Sequence, residues 1–226
     1  MWNLRRACSG EGGVPRGWAR TEHTEWRKTL AETFDIAETK CEFERDGCAI
    51  IRGCLTRAEL DELTERTEIY LGRRDLGFRD RSRPFAGTLK NLNVDDPWFS
   101  DQLHHGKPAR IVGALLDDSL DPATAALFDR IPGEKRGIDP HFDAIGHRRR
   151  GATLWIALDK ADTGNGCLRY ARGSHRLRFE SKVGLDGFDD DTDGVLKVEL
   201  EPGDAAVHSS LLVHWSTPNT SGRSRR

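Results

Sequence analysis

The chain has few cysteines and no pattern among them. The five, Cys8, Cys41, Cys48, Cys54 and Cys167, are odd in number and show no C-x-x-C spacing. That excludes a disulfide framework and a cysteine zinc site, and it fits a reducing cytoplasm. No apolar run reaches the length of a membrane-spanning helix. Neither sign of charge prevails: 35 Lys and Arg against 37 Asp and Glu leave a formal net charge of -2. There is thus no electrostatic reason to expect nucleic acid or an anionic membrane as partner. Arg clusters at 148–150 and 223–226 are balanced by Asp runs and read as solvated surface. Internal repeats are also missing. What is there is ordinary for a soluble globular protein, with 36% hydrophobic and 32% charged residues. At 226 residues the chain holds one domain with a substantial core and is short for two.

Taken in order, residues 1–20 are rich in Gly and Arg without periodicity and read as a disordered extension, leaving 21–226 as a single domain. Glu22 to Glu44 carries a partial apolar stripe (Trp26, Leu30, Phe34, Ile36) and predicts a helix. Cys48 to Ile51 predicts a short strand. Thr56 and Glu59 form a capping box for a helix running to about Arg73. Residues 74–96 suggest no element, and Pro97–His105 and Pro108–Leu116 read as short helices. From Ala123 the pattern changes to short strands broken by Gly, Pro, Asn or Asp: Ala123–Ile131, Ile138–Asp143, Ala152–Asp159, Cys167–Tyr170, Val195–Leu200, Ala205–Val207 and Leu211–Trp215. Helices first and many strands afterwards imply one β-sandwich or barrel with helices packed outside.

The chemistry centres on His141-Phe142-Asp143. On a strand, side chains two apart share a face, so the imidazole and the carboxylate project together. Two His and one carboxylate with open positions form the usual non-haem Fe(II) site. The second His must come from elsewhere. His104 and His105 fall in helical sequence, His23 precedes the fold, and His147 and His175 lie in turns. His208 and His214, both after the Pro202-Gly203-Asp204 turn, remain as strand-end candidates, and spacing leaves both open.

Five motifs in order, H-F-D, T-L-W-I-A-L-D, N-G-C-L-R-Y-x-x-G-S-H-R, P-G-D and H-W-S-x-P-N-x-S-x-x-x-R, together with the opening Phe43-Glu44-Arg45-Asp46-Gly47, resemble the phytanoyl-CoA dioxygenase family over about residues 40–226. The resemblance implies a mainly β fold with flanking helices, a double-stranded β-helix of the jelly-roll, cupin-like type. It also implies an Fe(II)-dependent enzyme with 2-oxoglutarate and O2 as co-substrates. His141, Asp143 and His214 would be the metal ligands. Arg225, eleven positions after His214, would pair the distal carboxylate of 2-oxoglutarate bidentately, helped by the Ser216 hydroxyl. Trp155 would line the co-substrate pocket, with core aromatic as its bland reading. Asn165-Gly166 and Gly173-Ser174-His175 would shape turns beside the site.

The chain departs from the family twice. Trp215 stands where the family has Gly and would crowd the spot after the distal His. The family also continues with another strand where this chain stops, at Arg226, so a jelly roll truncated at its C-terminus is expected, with Arg225 on a frayed end.

The expected function is therefore a cytoplasmic dioxygenase that hydroxylates a small molecule. A carboxylate at 143, where related halogenases have Gly or Ala, argues for hydroxylation over halogenation. Two other readings stay open: a cupin-like metal protein without 2-oxoglutarate chemistry, and an inactive binding domain. His147, Arg148, Arg150 and Arg169 are candidates for pairing an anionic substrate at the mouth. Asp189, Asp191, Asp193 and Gly194 sit at the first positions of a calcium-loop pattern, but Leu200 replaces the closing Glu, so the stretch reads as a solvated insertion.

Overall fold

In a computed structural model of the chain, the described residues are 1–6, 34–72, 87–117, 120–143, 151–181 and 183–226. Residues 7–33 and 144–150 lie outside them, and with them His23, the first part of the expected helix over Glu22 to Glu44, and His147, Arg148 and Arg150.

Two antiparallel sheets face each other. The larger has the order β2 (Cys48–Ile51), β10 (Ala205–Ser209), β7 (Gly151–Ile156), β1 (Trp2–Arg6), β4 (Leu120–Ala125). The smaller has the order β6 (Ile138–His141), β11 (His214–Ser216), β8 (Leu168–Ala171), β9 (Val195–Val198). A ribbon of β3 (Thr88–Leu89) and β5 (Leu127–Phe128) stands apart. Helices α1 (Ile36–Asp46), α2 (Arg57–Gly72), α3 (Leu92–Asp95), α4 (Pro97–His104) and α5 (Lys107–Leu116) accompany the sheets, and apolar residues of α1, α2, α4 and α5 pack against the outer face of the larger one. This is the double-stranded β-helix, or jelly roll.

The period-two alternation explains why β7 is buried along its whole length. Leu154 and Ile156 point outward under the helices, together with Ala205 and Val207 of β10. Trp155 and Ala206 point inward against Tyr170 and Val198 of the smaller sheet. A side chain as fully covered as Leu154 contributes roughly 1.5–3 kcal/mol relative to exposure.

Local signals set several boundaries. Asp35 caps α1, its Oδ1 accepting from the amides of Ala37 and Glu38 at 2.9 and 3.0 Å. Within the described residues the helix therefore begins at Ile36 and runs on to Asp46. It ends at Gly47, φ 78°, where an added Cβ would stand 2.4 Å from His175 Nδ1, so glycine is required by both backbone and space. The capping box is present: the Thr56 amide donates to Glu59 at 2.7 Å and the Glu59 amide to the Thr56 hydroxyl at 3.3 Å. The short elements β3 and α3 occupy part of the stretch read as lacking structure.

Three expectations are corrected. Trp2–Arg6, assigned to a disordered extension, instead forms β1 between β7 and β4. Trp2 and Leu4 alternate into the outer core, a pattern hidden when twenty residues are averaged. The strand expected over Leu211–Trp215 begins only at His214, because Ser209 to Leu212 make the tight turn that crosses from β10 to the smaller sheet. The C-terminus is not frayed. Arg225 exchanges backbone hydrogen bonds with Arg130 at 3.0 Å each way, and the Arg226 carbonyl accepts from Leu158 at 2.9 Å.

Candidate metal centre

His141 ends β6 and His214 opens β11, and the two are paired across the ladder, their ring centroids 4.2 Å apart. Asp143, two residues past His141, turns to the same place: its Oδ1 is 3.8 Å from His214 Nε2. One ligand atom from each of the three lies within 4.8 Å of the others. Both imidazoles are anchored through Nδ1, His141 donating to the Asp139 carbonyl at 2.8 Å and His214 to the Leu212 carbonyl at 3.0 Å. With Nδ1 so engaged, each ring turns Nε2 to the shared point, which is how the backbone fixes the tautomer of a ligating His.

The charge states fit as well. Burial alone would raise the Asp143 carboxyl, but the imidazoles of His214, His208 and His141 together hold it well below the ordinary carboxylate range. Burial, reinforced by His208, lowers His214 to about 4. A carboxylate and a neutral imidazole are the forms that bind a divalent cation. The donor set, two nitrogens and one oxygen, suits iron(II).

His208, the other candidate from the spacing, sits beside this group. Its Nε2 faces Asp143 Oδ2 at 3.4 Å, and its Nδ1 accepts from the Tyr170 hydroxyl at 2.9 Å. Burial raises the Tyr170 phenol well above its usual range, so the hydroxyl keeps the proton it donates. Thr153 donates to the same Asp143 oxygen at 2.9 Å.

Trp155 shares the inner face of β7 with Thr153, about 7 Å further along the strand. The Arg225 guanidinium lies 5.5 Å above its ring and donates from Nε to the Asn165 carbonyl at 3.3 Å. Arg225 is buried, and among the described residues no carboxylate pairs with it. Burial, with Arg130 nearby, lowers its pKa only to about 10, so it remains a cation at neutral pH. A buried guanidinium with no carboxylate in salt-bridge contact among the described residues suits an anionic ligand such as a dicarboxylate. Ser216 lies on the same face of β11 as His214, and its Oγ accepts from the Ile138 amide at 3.3 Å, leaving the hydroxyl proton to donate. The turns behave as turns: the Ser174 hydroxyl accepts from the Val213 amide at 2.9 Å, and the Asn165 side chain bonds the Asp162 amide and the Lys160 carbonyl.

Two sequence expectations fail here for one reason. Trp215 and Arg169, paired across β11 and β8, point to the outer face of the smaller sheet. Trp215 therefore does not crowd the metal side; it packs against Phe188 and its side chain hydrogen-bonds Asp190. Arg169 is buried and held by Asp190 through Nε and Nη2 at 3.0 Å, so it is not a free cation at the mouth. The acidic stretch is a cover bound to that outer face, and Asp189 spends its Oδ1 on the Asp191 amide and the Thr192 hydroxyl. Thr153 and Tyr170 stood in the sequence only as members of the family-like motifs and Asn3 carried no signal, because the roles of all three depend on register between distant strands.

Known proteins agree with this architecture. The model of the family "Phytanoyl-CoA dioxygenase (PhyH)" matches residues 43–226. A methylphosphonate hydroxylase of Gimesia maris is 31% identical over 129 residues, covering 55% of this chain and 49% of that protein, so the chain spans about half the length of this relative. Among solved structures, AviO1 from Streptomyces viridochromogenes superposes with a TM-score of 0.68 at 29% identity, over 86% of this chain and 92% of that one. EvdO2 from Micromonospora carbonacea, solved with 2-oxoglutarate, gives 0.68 at 21% identity over 83% and 86%, a likeness of fold.

Proposed function

The chain belongs to the phytanoyl-CoA dioxygenase family, and from that premise we propose that it is an Fe(II)- and 2-oxoglutarate-dependent dioxygenase hydroxylating a small molecule. In this reading His141, Asp143 and His214 hold the iron, Arg225 and Ser216 hold the far carboxylate of 2-oxoglutarate, and Trp155 walls the co-substrate pocket. The observation that carries it is the convergence of two Nδ1-anchored imidazoles and one ionised carboxylate, with a buried arginine, in salt-bridge contact with no described carboxylate, stacked on the inner-face Trp155.

When bound, iron and 2-oxoglutarate supply the activation of O2, with decarboxylation of the co-substrate to succinate and oxidation of a substrate C–H bond. The protein's own residues do the rest. The Asp139 and Leu212 carbonyls fix both imidazoles before metal arrives. Arg225 supplies a forked, permanent cation in a dry pocket, stacked on Trp155 so that it cannot wander. Asp143 fills one coordination position with protein oxygen, which supports hydroxylation over halogenation. The buried arginine also favours this reading over a metal protein without 2-oxoglutarate chemistry or an inactive binding domain.

The methylphosphonate hydroxylase is named for a small-molecule substrate, which supports one here. We assign the chemistry to one domain, residues 21–226 completed by the Trp2–Arg6 strand. No described helix is long and apolar enough to cross a membrane. The described cysteines Cys41, Cys48, Cys54 and Cys167 are all free, in keeping with a cytoplasmic location.

The test is succinate formation from 2-oxoglutarate after anaerobic addition of Fe(II) and then air. Succinate that vanishes in Asp143→Ala and Arg225→Ala is the expected result. An iron-loaded wild type that makes none overturns the proposal.

A further inference from the structure

The Asp143 carboxylate has two oxygens with different tasks. Oδ1 faces His214, while Oδ2 is turned away toward the larger sheet, where two donors meet it. On one side the Asn3 side-chain amide donates to the Thr153 hydroxyl at 3.0 Å, and that hydroxyl donates onward to Oδ2 at 2.9 Å. On the other side the Tyr170 hydroxyl bonds Nδ1 of His208 at 2.9 Å, which leaves the Nε2 proton directed at Oδ2, 3.4 Å away. Thr153 and His208 are direct cross-strand partners of β7 and β10, and Asn3 of β1 is the partner of Thr153 on its other side. Three adjacent strands thus present one row of donors to a carboxylate carried by the opposite sheet. Thr153 and His208 are fully buried, at 0% and 1% exposure, so bulk solvent does not reach them.

We propose that Asn3–Thr153 and Tyr170–His208 are two hydrogen-bond relays that position Asp143 for metal binding, making the strand Trp2–Arg6 a working part of the metal centre. Asn3, Thr153, Tyr170 and His208 are positioning residues; none is a ligand. The physical reason is that a ligating carboxylate on a loop can rotate about its side-chain torsions. Two fixed donors on the rear oxygen leave one rotamer, with the front oxygen aimed between the imidazoles. Outer partners of this kind are typically worth 10–100-fold in metal affinity. Each relay ends in a group whose hydrogen bond would be lost without its predecessor: Asn3 orients the Thr153 hydroxyl, and Tyr170 selects the His208 tautomer.

This inference rests on the metal-site reading, so the test separates the two. Cobalt(II) is titrated into the metal-free full chain, recording the dissociation constant and the visible absorption of the bound ion, with thermal unfolding of each metal-free variant. Thr153→Val, which keeps shape and loses the hydroxyl, is expected to bind cobalt 10–100-fold more weakly with an altered spectrum. Thr153→Ser is expected to restore both, and Asn3→Ala and Tyr170→Phe to shift the spectrum in the same direction. Should Thr153→Val not fold, Tyr170→Phe, which removes one oxygen and keeps the ring, decides. Wild-type affinity and spectrum in Thr153→Val and Tyr170→Phe would overturn the positioning role while leaving the metal site intact. Cobalt binding that is absent from the wild type, or unchanged in His141→Ala, would overturn the metal site and the relays with it.

Discussion

The guanidinium of Arg225 lies 5.5 Å above the indole of Trp155, so the second-last residue of the chain closes over the inner face of a central strand. The contact needs a well-held terminus, and the backbone bonds between Arg225 and Arg130 supply it. Replacing Arg225 by Ala should weaken 2-oxoglutarate binding about 10- to 100-fold, the worth of one or two charge-assisted hydrogen bonds. Metal affinity should stay unchanged, because the three ligands do not touch this side chain. Calorimetric titration of the metal-loaded variant with 2-oxoglutarate checks both halves.

Stability of the metal-free protein should fall with acid in a defined window. His214 is lowered by burial, and then by His208, to about 4, against an ordinary 6.5. Between those values the unfolded chain binds a proton that the folded chain refuses. Stability from this group is therefore full above pH 6.5 and declines as pH drops toward 4, by about 3 kcal/mol at most. Unfolding midpoints measured from pH 7 to 4 should show the decline, and His214→Asn should flatten it.

The Asp190 cover should prove structural. Arg169 is buried and holds Asp190 through two of its nitrogens. Asp190→Ala leaves that guanidinium without its carboxylate, a loss of roughly 1–3 kcal/mol given the half-open setting. Limited proteolysis should then cut within residues 183–194, where the wild type resists. Added calcium should leave the wild-type pattern unchanged, because the Asp side chains serve the loop itself and Arg169.

Gly47→Ala should be costly, because Gly47 is a buried helix cap. The left-handed backbone alone costs about 1–2 kcal/mol for a residue with a Cβ, and the new methyl would meet His175 and Leu212 inside 3 Å. Thermal unfolding should drop by several degrees, and a second substitution of His175 by Ala should recover part of it.

The sequence by itself determined the elements with strong local signals and put forward His141 and Asp143 as two candidate ligands. The capping box at Thr56 and Glu59, the proline-started helices and the alternating strands all follow from short-range rules. The H-x-D spacing puts two ligands on one face whatever the rest of the chain does. It left His208 and His214 both open on spacing, because both end near the same turn. Only the tertiary structure separated them, through the crossover at Ser209–Leu212 that sends His208 to one sheet and His214 to the other. It also decided that Trp215 and Arg169 face outward, since one residue of register selects the face of a strand. Above all it brought Trp2–Arg6 between β7 and β4, so that Asn3 meets Thr153 across 150 residues of sequence. No local pattern encodes that meeting, because it depends on the register of β1 between β7 and β4, both far from it in sequence.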